Sequence, residues 1–107
     1  MTFLAIDAQK NLFTLQKGQL QFEQTLIMSR ANYITKQMGY RQADLPDDVD
    51  PEDDYTYMAL HQEEEYLETR QDSLDSQITL IENEISSLKN LVTSNIKSSC
   101  ALNLIGG

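Results

Sequence analysis

Apolar residues recur with the period of a coiled coil through the second half of the chain. The residues of this row are separated alternately by four and three positions: Leu74, Ile78, Ile81, Ile85, Leu88, Val92. A strand would alternate every two residues, and an ordinary surface helix seldom keeps so strict a spacing. The row therefore predicts a long helix that packs through one seam, and the same frame runs back through Leu67 and Leu60.

A second apolar row lies in the first third of the chain and repeats every seven residues: Ile6, Phe13, Leu20, Ile27, Ile34. Two helices joined by a short linker pack antiparallel. The two rows predict an all-α fold, an antiparallel two-helix coiled-coil hairpin with a longer second helix and a short non-helical C-terminal tail. A chain of 107 residues fits a single helical-hairpin domain over residues 1–107.

The ends of helix one follow from its capping and stop residues. Thr2 is a suitable N-cap, and Gly39 suits the position after a helix C-terminus, so we expect helix one over about residues 3–38. Gly18 lies inside this helix, either as a weak point or as a place where another helix approaches closely.

The linker and helix two are marked by proline and carboxylates. An acidic linker is expected over about residues 40–50, because prolines 46 and 51 exclude a continuous helix. Asp50 reads as an N-cap and Pro51 as the first helical residue, which starts helix two over about 51–98. The remaining tail, residues 99–107, carries no charge and is expected to be extended and partly buried.

The two rows coincide best when paired positions have numbers that sum to about 92, which leaves the end of the chain without cover from helix one. The apolar residues there are Val92, Ile96, Leu102, Leu104 and Ile105. Exposed apolar patches usually mark a partner surface. The alternative is that the tail folds back over Phe3 and Leu4. Cys100 is the one cysteine, either a partly buried thiol or the site of an intermolecular disulfide.

Helix one also carries more apolar residues than one partner helix needs. We expect Leu12, Leu26 and Tyr33 to widen its stripe on one side, and Leu15 and Phe22 on the other. In helix two, β-branched residues at one seam position and mostly leucine at the other favour parallel two-stranded association. A hairpin that also associates with itself accommodates both patterns.

The charge is unevenly distributed. Residues 2–43 carry +3, residues 44–54 carry −7 and residues 55–107 carry −5, which together give the net charge of −9. The opposite signs of the two helices favour their pairing, and the acidic balance excludes nucleic acid as an expected partner. The sequence shows no signal peptide and no membrane span, so we expect a cytoplasmic location or export without a cleavable signal.

No pattern of residues indicates catalysis or a cofactor. The acidic linker lacks the glycine and the spacing of a calcium-binding loop, and is expected to be a solvated loop. His61 shares a helical face with Glu64 and Glu65, which is more typical of a polar surface than of a metal site. We expect a protein that is not an enzyme and binds neither metal nor cofactor.

Two helices in about a hundred residues resemble, in architecture, the needle subunits of type III secretion and the small secreted bacterial proteins with a Trp-x-Gly turn. The turn region here reads Met38-Gly39-Tyr40, and the chain has no tryptophan. A small phage structural protein is equally similar. We expect a structural or scaffolding subunit that self-associates, or else a binding module or chaperone for one helical partner, or a bacterial subunit secreted without a signal peptide.

Overall fold

The computed structural model describes the backbone of residues 2–106 and the side chains of residues 2–96. Its elements are helix α1 (Phe3–Asp44), a short 3₁₀-helix (Pro51–Asp53) and helix α2 (Tyr55–Gly106). The two long helices pack against each other as a helical hairpin, and the described residues include no strand. The predicted all-α hairpin is therefore confirmed.

Both predicted rows face the contact between the helices. The side chains of Ile6, Ile34, Leu67, Leu74, Ile78 and Leu88 are buried. The other seven positions of the two rows are half-buried: Phe13, Leu20, Ile27, Leu60, Ile81, Ile85, Val92. In a two-helix hairpin the only interior is the seam between the two helices. A seam residue is therefore fully buried only where side chains of both helices cover it.

The chain divides into two compact units. We name Gln21–Asp75 the turn unit, and Met1–Leu20 with Ser76–Gly107 the terminal unit. The core of the turn unit is a cluster of Ile34, Met38 and Leu67, with Ile27, Ala31, Tyr57 and Leu60 packed around it. In the terminal unit, Ile6 and Leu88 are among the buried residues.

Helix α1 is longer than the sequence predicted. The expected stop at Gly39 is wrong, because α1 continues to Asp44 and Gly39 has no positive φ. Glycine costs a helix only about 1 kcal/mol relative to alanine, and contacts on either side can offset that cost. Met38 is buried, and Arg41 binds Asp54 across the turn. The linker is correspondingly shorter than the predicted 40–50.

At the start of helix two, the predicted Asp50 cap is confirmed, but the predicted start of the long helix at residue 51 is wrong. Asp50 caps as predicted, since its side chain accepts a hydrogen bond from the backbone N–H of Glu52 and Pro51 follows as the first helical residue. The helix it caps is the single 3₁₀ turn. The long helix α2 begins at Tyr55, where a second carboxylate, Asp54, accepts a hydrogen bond from the N–H of Tyr57 at 2.8 Å.

Two further details of the termini are decided by the structure. The Thr2 cap is confirmed, because its Oγ1 accepts a hydrogen bond from the N–H of Ala5 at 3.2 Å. The non-helical tail is wrong: α2 continues without interruption to Gly106. The tail carries no proline, and its alanine and two leucines are good helix formers, so the helix can propagate through it.

Candidate interaction surface

Ion pairs between the helices fix the register of the turn unit. Arg30 Nε lies 2.7 Å from Glu63 Oε1, and Arg70 Nη2 lies 2.6 Å from Glu23 Oε1. In both pairs the residue numbers sum to 93, and in the Arg41–Asp54 pair they sum to 95. In the terminal unit, Lys17 Nζ lies 3.4 Å from Glu82 Oε1, for a sum of 99.

The predicted register, with sums of about 92, is one position below the Arg30–Glu63 and Arg70–Glu23 pairs. It is seven positions below the Lys17–Glu82 pair, and the Thr35–Glu64 hydrogen bond within the turn unit has the same sum of 99. The two sets of contacts lie on opposite edges of the seam, so the prediction is close for one edge and low for the other. Lys17, Arg30 and Arg41 of the net positive helix α1 pair with acids on or beside α2, in the sense that the opposite charges of the two helices predict. Arg70–Glu23 has the opposite sense, with the base on α2.

The Arg41–Asp54 pair is the best-built polar contact of the turn. Arg41 donates from Nε to Asp54 Oδ2 at 2.9 Å and from Nη2 to Oδ1 at 2.8 Å. This bidentate contact, together with the hydrogen bond from the Tyr57 N–H, lowers the pKa of Asp54 to about 2. Asp54 thus ties the end of α1 to the start of α2 while capping α2.

The turn unit carries a row of exposed apolar residues on α1, which we name the outer row: Phe22, Leu26, Tyr33, Tyr40. Their spacings of four, seven and seven place them on one face of the helix. Their exposed fractions lie between 50% and 66%, although the seam of the same helix is covered by α2. Helix α1 is therefore apolar on two faces, and only one of them has a partner in the described structure.

Phe22 and Leu26 were predicted to lie on opposite sides of the seam, and that prediction is wrong. Residues four positions apart are neighbours on a helix, so both lie on the same face. The same geometry joins Leu12 and Leu15, both exposed, within the terminal unit. The apolar surplus of helix one is thus a separate face rather than a widened seam.

Positive charge accompanies the outer row. The guanidinium carbon of Arg30 lies 5.1 Å from the centroid of the Tyr33 ring, in a cation–π contact. Lys36 follows Tyr33 by three positions and precedes Tyr40 by four, which makes it a neighbour of both rings. The row is therefore apolar in its centre and basic along its edge.

An apolar groove lies on another side of the turn unit. Its volume is about 230 Å³. Met28, Ala31 and Leu67 supply apolar surface, and Glu64 and Glu68 stand in its wall; Asn32 and Gln71 complete the lining. Met28 is half exposed, so the groove opens to solvent. No sequence pattern marked this groove, because its walls come from both helices and from residues outside the seam.

The terminal unit leaves apolar residues of α2 exposed. The exposed fractions of Leu80, Leu91 and Ile96 lie between 49% and 64%, whereas Val92 is half-buried. Phe3 and Leu4 of α1 are also exposed. Of the residues predicted to form the uncovered end, Val92 is thus partly covered by the hairpin itself and Ile96 is not.

Four predicted interaction residues lie outside the residues whose side chains the structure describes: Cys100, Leu102, Leu104, Ile105. The structure gives them only a helical backbone. The predictions that they contact a partner, and that Cys100 forms an intermolecular disulfide, stay predictions.

The candidate metal residues form local ion pairs. His61 Nε2 lies 3.0 Å from Glu65 Oε1, and His61 Nδ1 lies 3.8 Å from Glu64 Oε1. Within the described residues, no group of three or more histidine, cysteine or acidic side chains is arranged to hold a metal ion.

The surroundings of Gly18 are open. A Cβ added there would meet nothing within 4 Å, so no other part of the described chain approaches closely at this position.

The described structure defines a helical hairpin whose candidate site is a surface rather than an active-site pocket. Protein-family models, curated proteins and solved structures provide no match to the chain. In the part of the chain that the structure describes, neither helix contains an apolar stretch long enough to cross a membrane.

Proposed function

We propose that this protein is a non-enzymatic structural subunit that associates with copies of itself through helix packing. The observation that supports the proposal is the apolar exposure of α2 in the terminal unit, where Leu80, Leu91 and Ile96 remain about half exposed or more after the seam is filled. Leu80 and Leu91 lie about three turns apart on one face of α2, and Ile96 lies on the face of the seam, so a partner helix could contact either face.

Burial of these side chains supplies the driving force for association. Fully burying one leucine or isoleucine contributes roughly 1.5–3 kcal/mol, and a half-exposed one about half of that. Three such residues give a few kcal/mol before the cost of association is subtracted. Stable assembly therefore needs further contact surface between copies. The helical continuation of α2 to Gly106 and the outer row on α1 are two places where such surface is present.

Light scattering coupled to size-exclusion chromatography tests the proposal across a wide range of protein concentrations. We expect the full chain to form concentration-dependent oligomers. Removal of residues 92–107 and the single change Ile96→Glu should both shift the distribution toward monomer. Ser94→Glu is the matched control, since it adds the same charge at an exposed position two residues away. A full chain that stays monomeric at every concentration contradicts the proposal.

A second function, a binding module or chaperone for one helical protein, is favoured by the exposure of Leu15 and Phe22 on α1. An amphipathic helix of the partner would pack against either exposed residue through its apolar face. In this case the chain is a monomer or dimer that truncation at residue 92 leaves unchanged. Leu15→Asp and Phe22→Asp would abolish capture of the partner while leaving the helical circular dichroism intact.

A further inference from the structure

We infer that the outer row of one copy packs into the Met28–Leu67 groove of a second copy, so that the two copies use different surfaces at their contact. The inference rests on the proposed self-association and specifies which faces meet within the turn unit. The row is Phe22, Leu26, Tyr33 and Tyr40, and the groove is the one walled by Glu64 and Glu68.

Size and polarity match the groove to a protein side chain. At about 230 Å³ the groove is smaller than the roughly 300–1,000 Å³ of typical small-molecule sites. Its floor of Met28, Ala31 and Leu67 is apolar, and methionine adapts its shape to aromatic rings. The outer row presents three such rings, each half or more exposed, on one helical face.

Unpaired charges of opposite sign lie on the two surfaces. Arg30, Arg41 and Arg70 are each paired with a carboxylate across the hairpin, whereas Lys36 beside the outer row has no ion-pair partner among the described residues. Glu68 in the groove wall likewise forms no ion pair within residues 2–96. In the proposed contact, Glu68 of a second copy pairs with Lys36, and Lys36 of a second copy pairs with Glu68.

Charge also decides between two ways of covering the row. If two outer rows met face to face, both copies would bring their basic residues Arg30 and Lys36 to one interface, and an excess of like charge disfavours the contact. Row against groove instead brings Lys36 and Arg30 toward Glu64 and Glu68. The arrangement is heterologous, which produces a closed ring or an open filament rather than a two-fold dimer.

Mixing of two blocked variants tests the arrangement. Tyr33→Glu blocks the part of the row that lies between Arg30 and Lys36, and Met28→Glu blocks the groove. Both residues are about half exposed, so the hairpin should keep its helical circular dichroism. We expect each variant alone to lose the large oligomers of the full chain. In an equimolar mixture, the intact groove of the first variant binds the intact row of the second, so a one-to-one heterodimer should form at concentrations where neither variant alone associates.

The outcomes separate this inference from the proposed function. Lys36→Glu mixed with Glu68→Lys should restore part of the assembly that either variant loses alone. Loss of assembly in Tyr33→Glu but not in Met28→Glu would mean row-to-row contact and would overturn the inference. Oligomers that survive both variants but disappear in Ile96→Glu overturn it too, while the proposed function stands. A full chain that is always monomeric overturns both.

Discussion

Ile34 is the most informative position at which to test the packing of the turn unit. Its side chain is 0% exposed and lies in the cluster with Met38 and Leu67. Ile34→Ala removes three carbon atoms, worth about 2.4 kcal/mol at roughly 0.8 kcal/mol per buried methylene. A residual cavity increases the loss, and typical values for this substitution are about 2–5 kcal/mol.

Two effects reduce the loss toward the lower part of that range. Alanine is a better helix former than isoleucine by roughly 0.4 kcal/mol. A two-helix seam is also narrow, so neighbouring side chains can close part of the cavity. We therefore expect Ile34→Ala to lower the free energy of unfolding by about 3 kcal/mol. The corresponding fall in Tm is about 12–20 °C for a chain of this size.

Urea denaturation followed by helical circular dichroism measures the change, with the free energy extrapolated linearly to water. The measurement is made at a protein concentration below association, so that unfolding and dissociation remain separate. Ile34→Val is the graded variant and should cost about 1 kcal/mol. Lys36→Ala, two residues away and exposed, should change stability by less than about 0.5 kcal/mol. An Ile34→Ala loss no larger than that of Lys36→Ala would refute the burial of this row against α2.

Three other predictions concern single positions of the turn unit. Gly39→Ala should stabilise the hairpin by about 1 kcal/mol in the same denaturation assay, because a Cβ there meets nothing within 4 Å and helical φ suits alanine; destabilisation would show that the helix ends before residue 39. The pKa of Asp54 is about 2 in the folded chain against an ordinary value of 3.8, so its stabilising contribution is present above about pH 5 and is lost as the pH falls through 3.8 toward 2. Asp54→Asn keeps a capping side chain but should be less stable at neutral pH and show a smaller loss of stability on acidification, whereas an unchanged pH profile would contradict the Arg41 contact. Arg30→Gln should lower stability only slightly, and high salt should reduce the difference from the native chain, since the Glu63 pair is exposed; a large, salt-independent loss would contradict a surface ion pair.

Local chemistry was read correctly from the sequence where one residue acts on its near neighbours. Thr2 and Asp50 were predicted as caps, and both accept hydrogen bonds from nearby backbone N–H groups. Such contacts span two or three residues, so spacing in the sequence is sufficient to identify them. Gly39 was misread because the sequence shows only its local preference. A glycine permits a helix to end, but the burial of Met38 and the pairing of Arg41 with a residue 13 positions away oppose that end.

The interaction surfaces could be predicted only in part. The sequence showed that α1 has more apolar residues than one seam needs, but Phe22 and Leu26 were divided between two sides. The exposed fractions and the helical spacing of the structure place them in one outer row. The groove at Met28 and Leu67 was missed entirely, because residues distant in sequence form its two sides.

The seam, and with it the hairpin, follows from the spacing of apolar residues alone. A strict four-and-three spacing is a property of neighbouring residues on one helix, and it specifies which face must be buried whatever covers it. The register, the positions of the helix ends and the exposure of the second apolar face require the folded chain. They depend on how far one helix lies along the other, which is visible in contacts such as Arg41–Asp54 and Arg70–Glu23 between residues that no local pattern connects.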